Sequence, residues 1–144
     1  MANATNYLEN KLVDHLFRAA TLAKPAALYV ALFTAAPSDA GGGTEVAGGG
    51  YARVNLPPLD TNWSATQGGT TGASSGTTGA TSNAVVVTFP VPTSDWGTVT
   101  HFAIFDALTG GNPLVWGALS TAREVLNGDP APRFPAGALV ITVA

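Results

Sequence analysis

The chain has 144 residues, of which 10% are charged and 46% hydrophobic, with 17 glycines, 10 prolines and no cysteine. That length fits one domain with a sizeable core, and the missing cysteines exclude disulfides and thiolate metal sites. A net charge of −3, with six scattered basic residues, leaves no basic face for nucleic acid.

So low a charged fraction, against about a quarter in ordinary soluble domains, suggests that neighbours cover part of the surface. The N-terminal run MANATNYLENKL lacks a basic start followed by an apolar core, so no signal peptide is expected. No apolar run approaches the roughly 20 residues that cross a bilayer, so no membrane partner is expected.

Residues 6–19 read as the single helix, with Asn6 as cap and Glu9 completing a capping box. Leu8, Leu12 and Leu16 recur every four residues, with Val13 and Phe17 beside them, and form one apolar stripe. A helix this short is marginal alone in water, so the stripe needs a partner surface. Lys24-Pro25 marks a stop. From Ala26 to Ala35 the period changes to two with both faces apolar, which predicts a strand buried on two sides.

A glycine-rich loop follows, then a short strand at 51–56 ended by Pro57-Pro58. Residues 64–83, SATQGGTTGASSGTTGATSN, carry no charge and almost no side chain that could build a core. Composition alone makes this a flexible segment. With strands predicted on both sides, it is read as an extended loop or projecting hairpin that could lie along a neighbouring subunit. Strands are predicted at 84–90, 98–107, 114–120, 123–127 and 138–143, separated by Gly, Pro, Asn and Asp. The fold expected is mainly β: an antiparallel β-sandwich or barrel of about seven strands with one N-terminal amphipathic helix.

Few residues invite chemistry. His101 and Asp106 lie five apart in one predicted strand and so point to opposite faces. His101 reads as a hydrogen-bonded residue facing the next strand, and Asp106 as a residue bonding to its own turn. Two histidines and no carboxylate cluster give no zinc spacing. SDAGGGTE (38–45) lacks the alternating oxygen ligands of a calcium loop. GGGTEVAGGGYAR precedes a strand and has no Gly-Lys-Ser/Thr, so neither phosphate-binding fingerprint is met. Asp60, Asp95 and Asp106 could converge as a glycosidase pair, although no spacing favours it. Trp63, Trp96 and Trp116 are read as core residues before a sugar-stacking platform.

The runs YLENKLVDHLFR, PAALYVALFTAAPSDAGGGTEVAGGGYARV and DWGTVTHFAIFDALTGGNPLVWGAL resemble a family of small virion proteins of tailed bacteriophages. Its members are labelled phage tail fibre proteins or capsid decoration (cement) proteins. The resemblance covers about residues 6–56 and 84–144. The Ser/Thr/Gly stretch at 64–82 is longer than the family pattern, and GDPAPRFPAG carries extra prolines. It implies a non-enzymatic structural subunit in the virion, made in the host cytoplasm, with no cofactor and no catalytic residue to carry over.

The first expectation is a capsid decoration protein whose partners are the major capsid protein and copies of itself. The chain has no fibrous repeat, and area buried at many repeated contacts would supply about 25 cal/mol per Å² before ordering costs. Leu8, Leu12, Leu16, Thr71, Ser75 and Thr78 are the expected subunit-interface residues. The alternative is a tail-associated or receptor-binding fibre protein, with the 64–83 loop and the tryptophans facing host surface glycans. An enzyme acting through Asp95, Asp106 and His101 is the remaining and weakest reading.

Overall fold

A computed structural model describes residues 2–143. Ten strands and one helix make the fold: β1 (Ala2–Ala4), α1 (Asn6–Phe17), β2 (Tyr29–Ala35), β3 (Thr44–Glu45), β4 (Val54–Asn55), β5 (Ala80–Ser82), β6 (Val87–Thr88), β7 (Gly97–Phe105), β8 (Pro113–Val125), β9 (Arg133–Phe134) and β10 (Val140–Thr142). Eight of the strands form one sheet in the order β3-β2-β7-β8-β1-β10-β5, with β4 also on β2, and β6 pairs with β9 in a small ribbon. Every pair is antiparallel except β1 with β10. The sheet stays open, so of the two expected architectures the closed barrel does not apply.

β2 shows why both faces of this sheet are covered. Val30 and Leu32 enter the larger core, while Ala31 and Phe33 enter a second, smaller cluster behind it. Alternation along one strand sends neighbours to opposite faces, so an unbroken apolar run needs cover on both. The β6–β9 ribbon supplies one cover. Phe134 of β9 meets Phe102 of β7 edge to face at 6.1 Å, and it meets Phe89 in the same way at 6.1 Å. Tyr51 stacks on Phe89 and takes Trp96 edge-on at 5.4 Å. Aromatic pairs in these arrangements add to the area that they bury.

Loop 36–43 covers the other face. The Trp116 indole N–H donates to Asp39 Oδ1 at 2.9 Å, and Pro37 is buried. Arg53 closes that side: it forms a two-pronged pair with Glu45, 2.7 Å on each prong, and donates to the carbonyls of Ala107 and Gly110. Its guanidinium also lies 3.6 Å from the Phe105 ring centre. One planar side chain thus ties β3, β4 and the β7–β8 turn together, a task for which arginine's fixed fork is suited.

Two glycine positions set these approaches. Gly43 has φ +76°, and a Cβ there would lie 2.7 Å from the Pro37 nitrogen. Gly49 has φ +56°, and a Cβ would meet Ser94 Oγ at 2.5 Å, beside the hydrogen bond from Trp96 Nε1 to the Gly49 carbonyl. Any side chain would be both strained and blocked at either place.

Several boundaries differ from the sequence reading. The helix is capped by Thr5, not Asn6: Thr5 Oγ1 accepts the Leu8 N–H at 3.3 Å and donates to the Pro113 carbonyl at 2.6 Å. Asn6 instead gives its backbone N–H to the Asp39 carbonyl. The helix ends at Phe17, because Arg18 turns to extended backbone. The separate strands expected at 114–120 and 123–127 are one, β8, whose polar stretch runs on beyond the core. β1 has no apolar pattern to announce it; its three small residues fit between β8 and β10.

Candidate subunit interface

α1 begins on the sheet and leaves it. Leu8 packs against the large core, and Leu12 borders a hollow shared with Ala2, Ala4, Val115 and Val143. Beyond Leu12, Val13 is 50% exposed, Leu16 65% and Phe17 81%, and no residue of the helix is fully buried. The stripe read from the sequence is real, but only its first half has found a surface. The Arg18–Asp14 pair at 3.3 Å is well exposed and adds little. His15 Nδ1 accepts the Leu22 N–H at 3.1 Å and folds the following segment back along the helix. What remains is a short apolar ridge facing solvent.

Thr71, Ser75 and Thr78 lie far from that ridge in sequence, on the loop between Ser64 and Gly79, and all three are exposed. Of the two forms expected of this Ser/Thr/Gly run, an extended loop or a projecting hairpin, it is nearer the second. Thr66 Oγ1 accepts the Gly76 N–H at 2.9 Å, Gln67 Oε1 accepts the Ser75 N–H at 2.8 Å, and Gln67 Nε2 donates to the Ala73 carbonyl. Thr78 Oγ1 donates back to the Thr66 carbonyl at 3.1 Å. Side chains satisfying nearby backbone turn the segment into a lobe closed on itself. Its final residues become β5, which pairs with β10.

Of the residues weighed for chemistry, His101, Asp106 and Asp95 have structural partners. His101 Nδ1 is 2.8 Å from Thr100 Oγ1, and its ring lies 6.1 Å from Trp116. Asp106 accepts the backbone and side-chain N–H of Asn112 at 2.7 and 2.9 Å, holding the β7–β8 turn. Asp95 accepts the Asn127 N–H. Trp96 is buried in the core, while Trp63 and Trp116 are half-buried against the two clusters. Among the described residues no group of three potential metal ligands converges, and no helix is long and apolar enough to cross a membrane.

The one strongly shifted group is Tyr51. Loss of water around its hydroxyl pushes its pKa up; the nearby Glu45 carboxylate adds to this, while the Leu32 N–H and Arg53 oppose it. That hydroxyl accepts from Leu32 and donates to Glu45 Oε1, so it serves as a structural link between β2 and β3.

Residues 3–142 match the family described as Podophage GP4 fiber I protein gp80. The chain belongs to that family. The match takes in nearly the whole chain and makes this a bacteriophage virion structural protein, as the resemblance implied, with a fibre as the assembly that its family description names. No curated protein matches the chain.

The sequence reading places Leu8, Leu12 and Leu16 on one stripe, but Leu16 is exposed while Leu8 packs against the protein's own core. Val13 and Phe17 belong to the exposed ridge in its place. Val13, Leu16 and Phe17 are spaced i, i+3, i+4 and share one side of the helix, so the wide apolar stripe held the signal for a second contact face.

Proposed function

We propose that this protein is a non-enzymatic subunit of a phage fibre or its base, joined to neighbouring subunits through the outer half of α1. The observation that carries the reading is the ridge of Val13, Leu16 and Phe17 on a helix whose inner half is already docked. A 12-residue helix with no fully buried residue gains little from propensity alone. Burial of those side chains against another subunit would supply the missing contact. The family description, a fibre protein, supports the location.

A second reading, a decoration protein on the capsid shell, is favoured by the absence of a fibrous repeat in residues 1–144. Labelled antibody on intact particles separates the two. Label on the appendages is expected; label spread over the shell would transfer the proposal to the capsid. For the contact itself, Leu16→Glu with Phe17→Glu should leave the thermal midpoint within a few degrees, since both side chains are exposed. Incorporation into particles should fall at least ten-fold. Unchanged incorporation would reject the ridge as the interface.

A further inference from the structure

β8 runs out into a turn, Leu126-Asn127-Gly128-Asp129, that two carboxylates hold in place. Asp95 Oδ1 accepts the Asn127 N–H at 2.8 Å, and Asp129 Oδ2 accepts the Leu126 N–H at 2.9 Å. The Asp129 N–H closes the turn on the Leu126 carbonyl at 3.1 Å. Gly128 takes φ +84°, the left-handed value that such a turn needs at its third residue.

Asn127 stands apart from the other asparagines. The chain has eight, and only this one is followed by glycine. Asn62, Asn83 and Asn112 donate their side-chain amides to carbonyl or carboxylate oxygens. The Asn127 side chain has no hydrogen-bond partner among the described residues, and both Asn127 and Gly128 are exposed. The Gly128 N–H reaches only the Pro92 carbonyl, at 3.4 Å, beyond the usual range for a firm bond. A Cβ at Gly128 would meet nothing within 4 Å, so the space beside the turn is open.

The geometry points to Asn127 as a site of self-modification, whose side-chain amide is lost through a cyclic imide formed with the Gly128 nitrogen. That nitrogen adds to the Asn127 side-chain carbonyl carbon. The bond from this carbon to the side-chain nitrogen breaks, and ammonia leaves with the proton from Gly128. Water then opens the ring. Attack at the side-chain carbonyl gives aspartate, and attack at the main-chain carbonyl gives isoaspartate, whose backbone runs through the side-chain carbon. Ring closure needs the backbone to rotate between the two residues, and glycine resists that least. Asparagine is one of the thermolabile side chains for this kind of reason.

Either product alters the turn. A carboxylate at 127 adds a third negative charge near Asp95 and Asp129, and like charges repel. Isoaspartate also lengthens the main chain by one atom inside a turn tied by three hydrogen bonds. The pairing of Val125 with Gly97, where β8 meets β7, lies directly beside it. A virion subunit is not renewed once the particle is built, so the change accumulates with age.

Trypsin should release Glu124–Arg133, in which Asn127 carries the only side-chain amide. Full-length protein is kept folded in warm neutral buffer, then digested and followed by mass spectrometry. Isoaspartate is counted with an isoaspartyl methyltransferase and labelled S-adenosylmethionine. Glu124–Arg133 is expected to exchange amide for carboxyl at least ten-fold faster than any other asparagine-bearing peptide, and to take most of the label. Asn127→Gln should lose that label and leave the thermal midpoint unchanged, since the side chain is exposed and unbonded. The proposal is overturned if Glu124–Arg133 stays unmodified in the folded protein, including the case where it reacts only after unfolding in urea. It is equally overturned if the exposed Asn3 or Asn10 reacts as fast, or if the label survives Asn127→Gln.

Discussion

The β2–β7–β8 core and the 64–79 lobe are both ordered, by opposite means. In the core, Val30, Ile104, Val99 and Phe89 are almost wholly removed from water, and backbone ladders join β2 to β7 and β7 to β8. In the lobe nearly every residue is exposed, and order comes from Thr66, Gln67, Ser74 and Thr78 bonding to nearby backbone. Burial of apolar area is cooperative, since each group is excluded from water by all the others. Hydrogen bonds open to water contribute singly, about 1 kcal/mol or less each. The core should therefore fail as a unit and the lobe bond by bond.

Phe89→Ala tests the cooperative side and has the largest expected effect. Phe89 is 2% exposed and touches both Tyr51 and Phe134. Its loss removes the link between the β6–β9 ribbon and the main sheet as well as ring volume. A destabilisation of about 3–5 kcal/mol is expected, read as a lower urea midpoint with an unchanged m-value. A fall in m would mean that the ribbon detaches by itself, and the core would then be two units.

This contrast also marks what the sequence could reveal. β2 was legible because Tyr29–Ala35 alternates with apolar residues on both faces, and β7 because Val99–Phe105 does the same. The turn role of Asp106 followed from its place at the end of that strand, and strand parity separated it from His101. β1 was not legible, since Ala-Asn-Ala is a strand only because β8 and β10 flank it. Composition left the lobe open between an extended loop and a projecting hairpin, because it predicts weak burial, while the fold depends on which threonine reaches which amide. Of the candidate interface, the stripe on α1 was legible in the sequence, but not that Leu8 would be consumed internally.

Between the extremes lies Tyr51, whose ring belongs to the core and whose hydroxyl bridges two strands. Tyr51→Phe keeps the ring and strands the Leu32 N–H, which should cost about 1–3 kcal/mol at neutral pH. The pH dependence has a definite sign. Burial raises the pKa of the folded-state hydroxyl above its ordinary value near 10. The unfolded chain then loses that proton first as pH rises, so the contribution is complete below about pH 10 and declines above it. The gap between native protein and Tyr51→Phe, measured by urea midpoints, should therefore narrow on the alkaline side. A gap that widens there would mean that the folded state holds the phenolate, and the link would be an ionic one.

The smallest effect is expected for Thr66→Ala, and it bears most directly on the lobe. Thr66 Oγ1 accepts the Gly76 N–H, and a Cβ at Gly76 would lie 2.7 Å from the Thr66 carbonyl carbon, so the two sides of the lobe touch at this point. Removing the hydroxyl frees an exposed amide that water can satisfy, so the global midpoint should move by no more than about 0.5 kcal/mol. Exchange of the Gly76 amide should nonetheless speed up, because lobe opening is a local event separate from global unfolding. Amides of β7 should be unaffected. If Val99 and Ile104 exchanged faster as well, lobe and core would open together. The difference between order by burial and order by hydrogen bonding would then describe composition only, with no consequence for how the molecule comes apart.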